Sequence, residues 1–564
     1  MVHLIEDRAR ALVIGIDCAD PALVSKWTGD GTLPNLARLS SRGVFGPLQS
    51  TPTFLSPEAW TGFQCGVNAG KHGIYEFQQR SPGGYGAYPV NSRDRQSRTI
   101  WSLLSEAGKR VAVTNIPLTF PAEELNGVQV SGFMCPSMDS EGFTHPPELA
   151  RQIRERHGTY PLNPRWGTPD PDGDLREICD RMVHDLRRKA AVALDILGTE
   201  RWDCFVHVFN EADWATHFLW HTHDTSHPQH PHDGFAPTED LLLRVYKAID
   251  EEIGSLVAEA GPDVDVIVLS DHGGGTNEKG NTHLCGFLES LGLLYRRRGV
   301  LAAVQSRAVE AISHIAASVP ASLTKNVRNR GGGLGESLMG QFIYGEIDWN
   351  ATRAYGPRLF GSGRVFLNLK NREPRGIVAA GSEADGLLEL LTEDLTHSKD
   401  RADGGRAVKS VSRGSDMYFG PHADRAPDLI VQWREDRVLD GIIAPIAGEV
   451  SPEFDGKLET ANGLTGCHKR QGVFMAAGPS ISRSAQVDSA SILDLAPTLL
   501  HLLGHAVPEE MDGRVLEEVL EADFRTAFPI AFCGTPMQLD GQATEYTAEE
   551  QELVEKRLSD LGYM

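Results

Sequence analysis

The chain has 564 residues, 40% apolar and 23% charged, the profile of a soluble globular protein with room for one large α/β domain carrying insertions, or for two to four ordinary domains. Its formal charge of −23 excludes duplex nucleic acid as a partner, since no basic stripe is available to neutralise phosphates. A small phosphorylated substrate stays compatible where metals supply the local positive charge.

The N-terminus, MVHLIEDRARALVIGID, reaches its first apolar run within about ten residues and then meets Asp17, which lacks the build of a signal peptide. No run of about 18 apolar residues follows anywhere, so no membrane span is expected. Eight scattered cysteines without CxxC spacing make neither a disulfide framework nor a thiolate zinc site, and they suit a reducing compartment. The expected location is the cytoplasm.

In chain order, short β-branched runs occur at ALVIGID (11–17), RVAVTNIP (110–117), CFVHVFNEAD (204–213), VDVIVLSDHGGG (264–275), RVFLNLK (364–370), PDLIVQW (427–433) and GVFMAAGP (472–479). Most are continuously apolar, as strands covered on both faces are. Amphipathic helical patterns lie between them, at 176–198 and 238–259 among others. The alternation predicts a layered α/β/α domain with a mostly parallel central sheet, discontinuous and spanning 8–530. Residues 290–345 read as an inserted helix and flexible loop packed on the domain, a candidate lid. Residues 540–564 read as a C-terminal amphipathic helix whose Leu553, Val554, Leu558 and Leu561 dock on the surface or on a second subunit of a homo-oligomer.

Ligands of such sheets sit beyond the carboxyl ends of the strands. Asp17 ends the first run, Asp213 follows the third, and Asp271 with His272 end the fourth. Asp213 and His217 stand four apart in DWATH, on one helical face, which suits two ligands of one metal and equally a plain surface contact. Three glycines after Asp271-His272 suggest that something approaches the backbone closely. His468 precedes the last strand, on the same rim. In TFLSPEAWTGF, Ser56 reads as a helix N-cap with proline at the first helical position, and equally as a nucleophile at a helix N-terminus. Taken together, Asp17, Asp213, His217, Asp271, His272 and His468 form a set without thiolate that suits Zn²⁺, with Mn²⁺ or Fe as competitors, and the hydroxyl of Ser56 completes a two-metal stoichiometry. The histidines of HTHDTSHPQHPHD (221–233) read as a solvated loop beside the site.

The stretches IGIDCADP (14–21), GTLPNLARLSSRG (31–43), SPEAWTGFQCGVNAGKHGI (56–74), NEADWATHFLW (210–220), SDHGGG (270–275), GCHKRQGVFMAAGP (466–479) and ILDLAPTLLHLLG (492–504) resemble, in order, the type I phosphodiesterase/nucleotide pyrophosphatase family of the alkaline phosphatase superfamily. The resemblance implies two divalent metal ions. Asp17, Asp271 and His272 would hold one with the oxygen of Ser56, and Asp213, His217 and His468 would hold the second. Ser56 aligns with the family's Ser/Thr nucleophile, implying phosphodiester hydrolysis through a phosphoserine intermediate. Where the nucleotide pyrophosphatase branch has an asparagine shortly after the HGI element, this chain has Phe77, which weakens that specific activity. Sulfatase chemistry is disfavoured, because neither CPSMDS (135–140) nor SPEAW carries the arginine of that branch. A phosphomutase, phosphotransferase or phosphomonoesterase of the same superfamily is the alternative enzyme. A non-catalytic metal-containing binding protein is the alternative of another class.

Overall fold

Continuous apolar runs bounded by turns have one stable use, as strands with both faces covered, and the chain uses most of them that way. The structure, a computed structural model, describes residues 10–80, 84–85, 87–162, 175–230, 239–297, 347–357, 361–450, 464–483, 485–487, 489–539, 546–561 and 563. Most of the segment expected as an inserted helix and lid at 290–345 lies outside the described residues.

The strands that matter here are, in chain order, β1 (Arg10–Ile16), β2 (Val44–Gln49), β3 (Val111–Thr114), β4 (Gly127–Val130), β5 (Thr144–His145), β6 (Cys204–Phe209), β7 (Val264–Leu269), β8 (Gly273–Thr276), β9 (Ala354–Tyr355), β10 (Gly363–Leu367), β11 (Val408–Arg413), β12 (Leu429–Trp433), β13 (Gly466–Lys469), β14 (Gln471–Ala477) and β15 (Ala490–Ser491). Nine of them form one sheet in the order β15-β2-β14-β7-β1-β6-β3-β4-β5. Neighbours run parallel except where β14 lies antiparallel to both β2 and β7, and at the β4–β5 edge. Along β1 the residues alternate between two cores: Leu12, Ile14 and Ile16 face one, Ala11 and Val13 the other. The first core is covered by α2 (Leu175–Thr199), α3 (Glu211–His223) and α4 (Leu241–Ala260), the second by α1 (Ser56–Cys65). The architecture is the expected layered α/β/α one.

Two expected members of that sheet are elsewhere. RVFLNLK and PDLIVQW become β10 and β12, which pair antiparallel in a separate four-stranded sheet, β9-β10-β12-β11, with its own core. A continuous apolar run fits any strand covered on both faces, so it does not encode which sheet or direction the strand takes. Conversely β2 lacks a strand-like sequence, since it carries Gly46 and Pro47. Pro47 is tolerated because β15 pairs only with Leu48 and Gln49, so no partner there asks for its missing N–H.

The C-terminal helix α5 (Ala548–Asp560) packs on its own chain, with Val554, Leu558 and Leu561 in the first core. Leu553, expected in the same stripe, is instead exposed. Its place is taken by Arg557, buried and donating to the carbonyls of Cys135 and Pro136.

Candidate metal centre and nucleophile

The structure gathers all seven residues named above in one place. Asp17 directly follows β1. Asp271 and His272 fill the gap between β7 and β8. His468 lies on β13, which pairs with β8, opposite Gly274. Asp213 and His217 share the inner face of the first turns of α3, and Ser56 is the first residue of α1. None is more than 3% exposed.

The side chains fall into two touching groups. Asp17, Asp271 and His272 offer one ligand atom each, all within 4.8 Å of one another, and Asp213, His217 and His468 do the same. The groups adjoin through the rings of His272 and His468, stacked with centroids 3.9 Å apart.

The histidines share one orientation. His217 Nδ1 lies 3.0 Å from the Gly466 carbonyl, His272 Nδ1 3.2 Å from that of Gly273, and His468 Nδ1 3.2 Å from that of Phe54. A carbonyl only accepts, so each Nδ1 carries the proton and each Nε2 turns its lone pair into the site, the arrangement that second-shell partners give metal-bound imidazoles. His217 Nε2 and Asp213 Oδ1 are 3.3 Å apart, and His468 Nε2 lies 3.2 Å from the same oxygen.

The carboxylates need positive charge. Asp17 Oδ1, Asp213 Oδ1 and Asp271 Oδ2 have no hydrogen-bond partner among the described residues. Burial, reinforced by the charge of Asp213, pushes the Asp17 carboxyl up to about 7, and burial with Asp17 beside it pushes Asp271 well up. Burial alone would raise Asp213 too, but its contacts with His217 and His468 outweigh burial and hold that carboxyl well below its usual range. Buried carboxylates facing lone-pair nitrogens, with oxygens left unpaired, form a donor set that fits divalent cations.

Ser56 differs from expectation in one respect. Leu55, not Ser56, occupies the N-cap position, and no side chain caps α1. The hydroxyl of Ser56 instead donates to His272 Nε2 at 3.0 Å, so a tertiary partner takes it from the cap. Phe54 bends the chain just ahead with φ of +43°, a left-handed geometry that costs a bulky residue on the order of 1–3 kcal/mol. The Phe54 carbonyl accepts from His468 Nδ1, tying the turn ahead of Ser56 to a histidine of the donor set.

The three glycines of SDHGGG answer to protein, not ligand. A Cβ at Gly273 would stand 2.1 Å from the Gln471 carbonyl oxygen, and one at Gly274 would stand 2.8 Å from Thr216 and 3.1 Å from Cys18 Sγ. The loop expected from the histidine-rich run is also partly helix. His221 and His223 end α3, and His221 and His227 are buried, with His221 Nδ1 3.1 Å from Thr465 Oγ1. His232 lies outside the described residues. Lys71 is committed to an ion pair with Asp512 and to the Glu510 carbonyl at 2.8 Å.

Several residues of the site have no signal in the sequence. Asn210 Nδ2 and Trp60 Nε1 each donate to Asp17 Oδ2 at 3.1 Å, fixing the carboxylate. Tyr563, from beyond α5, donates its phenol to Asp213 Oδ2 and rests edge-on against His217 and Phe77. Cys18 Sγ lies beside Asp213 and His272, kept as a thiol by burial and the surrounding carboxylates and donating to the Gly273 carbonyl at 3.3 Å. In front of Ser56 opens a cleft walled by Leu55, Pro57, Glu76, Phe77, Gln78, Arg364, His468 and Tyr563.

No curated protein matches the sequence. Among solved structures, murine ectonucleotide pyrophosphatase/phosphodiesterase 5 in complex with AMP is 12% identical, covering 91% of this chain and 100% of its own, with a TM-score of 0.47. Phosphonoacetate hydrolase from Sinorhizobium meliloti 1021 in complex with phosphonoformate is 14% identical, covering 87% of this chain and 94% of its own, with a TM-score of 0.48. Among the described residues no helix is long and apolar enough to cross a membrane. The sequence profile of the type I phosphodiesterase/nucleotide pyrophosphatase family matches residues 11–437, so the chain belongs to that family, within the alkaline phosphatase superfamily, and is a hydrolase of phosphoric esters.

Proposed function

We propose that this chain hydrolyses phosphodiesters or closely related phosphoesters with two divalent cations, Ser56 attacking phosphorus to give a phosphoserine intermediate. The observation that carries the reading is the position of the Ser56 hydroxyl, 3.0 Å from His272 Nε2 and inside a rim of three aspartates and three histidines. Asp17, Asp271 and His272 would hold one cation with the oxygen of Ser56, and Asp213, His217 and His468 the other. Zn²⁺ suits the nitrogen and carboxylate donors best, with Mn²⁺ or Fe as competitors. Bound there, the cations would lower the pKa of a serine hydroxyl and neutralise charge on the transferring phosphoryl group.

Attack forms an Oγ–P bond as the ester P–O bond breaks, and the serine proton ends on the departing alcohol. Water then displaces Ser56 from phosphorus and restores the hydroxyl. The free N–H groups and positive pole at the start of α1 favour the anion in both steps. The eight free thiols support a reducing compartment, and we place the enzyme in the cytoplasm.

The test is hydrolysis of bis(4-nitrophenyl) phosphate by the metal-loaded protein. Chelation abolishes turnover, and Ser56→Ala abolishes it while keeping the bound metal. Wild-type turnover by Ser56→Ala would remove the nucleophile assignment.

A further inference from the structure

Resting on the phosphohydrolase reading above, one side chain in the cleft points to what the substrate carries. Arg364 stands on β10, in the second sheet, and reaches the cleft in front of Ser56 with only 2% of its surface exposed. Among the described residues its ionic contact is Glu76, Nη1 to Oε1 at 2.7 Å, outside hydrogen-bonding geometry. Nε, Nη1 and Nη2 all lack a hydrogen-bond partner among the described residues.

A guanidinium carries five N–H donors, and burying them unsatisfied is costly, so such a group persists where another acceptor completes it. Gln78 lines the same wall, and its side-chain oxygen and nitrogen are likewise without partners among the described residues. Two polar side chains without hydrogen-bond partners among the described residues therefore line one cleft with Ser56. The planar fork of arginine matches a carboxylate or phosphoryl group two oxygens at a time. In an in-line displacement the departing oxygen leaves opposite Ser56. Residues flanking the nucleophile therefore meet the substituent retained on phosphorus.

We propose that Arg364, with Gln78 beside it, binds a second oxyanion on the retained side of the substrate, and that Glu76 anchors the guanidinium for that task. The substrate class is a phosphoester or phosphonate ester whose phosphorus bears a short substituent ending in a carboxylate or a second phosphoryl group.

Three probes share one leaving group and differ only in the retained substituent: the 4-nitrophenyl monoesters of propylphosphonate, carboxymethylphosphonate and phosphonomethylphosphonate. The metal-loaded wild type is expected to prefer one or both anionic probes over the propyl ester by roughly tenfold or more in kcat/KM, as charge-assisted hydrogen bonds allow. Whichever of the two gains more identifies carboxylate or phosphoryl as the natural group. Arg364→Gln is expected to lose the preference, its kcat/KM on the anionic probes falling to that on the propyl ester, and Arg364→Lys to keep part of it. Glu76→Gln, which leaves the arginine in place but loosens its anchor, is expected to raise KM for the anionic probes alone. These two variants and the wild-type preference carry the test should Arg364→Gln fail to fold.

A wild type that hydrolyses all three esters equally overturns the proposal and leaves the phosphohydrolase reading intact. Equal loss on all three in Arg364→Gln would instead assign the arginine to the attacked phosphoryl group. Failure on every ester, bis(4-nitrophenyl) phosphate included, would sink the underlying reading itself.

Discussion

His217 and His468 face each other nitrogen to nitrogen, Nε2 to Nε2, at 3.0 Å. With each Nδ1–H given to a carbonyl, neither facing nitrogen has a proton to share, so the pair is two lone pairs in opposition. A cation held as proposed would resolve that opposition, with Asp213 supplying the third donor. Metal analysis after dialysis against trace zinc is expected to find two equivalents in the wild type and one in His468→Ala. Two equivalents in the variant would remove His468 from the ligand set.

Asp17 is held by a short relay. Asn115 Nδ2 donates to Asn210 Oδ1 at 3.0 Å, and Asn210 Nδ2 donates in turn to Asp17 Oδ2. Removing such outer partners costs metal affinity about 10–100-fold. Asn210→Ala is expected to weaken one of the two metal equivalents by that amount in a chelator competition, with the other unmoved. An unchanged titration would show that Trp60 alone suffices.

The helix that carries Asp213 and His217 is seated by a buried ion pair, Lys189 Nζ to Glu211 Oε1 at 2.9 Å, with both side chains almost fully enclosed. Breaking one partner strands a buried charge, at a cost of about 3–5 kcal/mol, whereas removing both is close to neutral. Urea unfolding should therefore show Lys189→Met strongly destabilised and Lys189→Met/Glu211→Leu largely recovered. Equal losses in the two proteins would contradict this account.

Glu58, one turn into α1, is fully buried, and burial pushes its carboxyl from 4.5 up to about 7. A raised acid binds its proton more tightly folded than unfolded. Its share of stability is thus complete below about pH 4.5 and lost as pH rises through 7, on the order of 1–3 kcal/mol in all. Glu58→Gln is expected to melt above the wild type at pH 8.5 and close to it at pH 5. A constant difference across that range would mean that Glu58 does not titrate there.

What the sequence made legible was local. A buried run that stops at an acid, as at Asp17 and Asp271, advertises a strand end on its own, and the spacing of Asp213 and His217 announces a shared helical face. What it concealed was tertiary. The hydroxyl of Ser56 had a plausible local use as a cap, and only the arrival of His272 from 216 positions away takes it elsewhere. Arg364 and Tyr563 come from segments whose patterns announce a strand and a helix, and nothing in those patterns says that either side chain reaches the cleft. The direction of β10 and β12 is equally absent from their composition, because parallel and antiparallel strands bury the same residues.

The interposed antiparallel strand β14 has a further consequence. His468 sits just ahead of it, on β13, and meets His217 across 251 residues of chain. Every residue of the centre is on the chain only once synthesis has run from Asp17 to His468. The group of Asp213 and His217 waits for a late and entropically expensive loop closure to bring its last imidazole. Under the proposed ligand set, occupancy of that second site would report completion of the fold, whereas Asp17, Asp271 and His272 are all present before β13 is made.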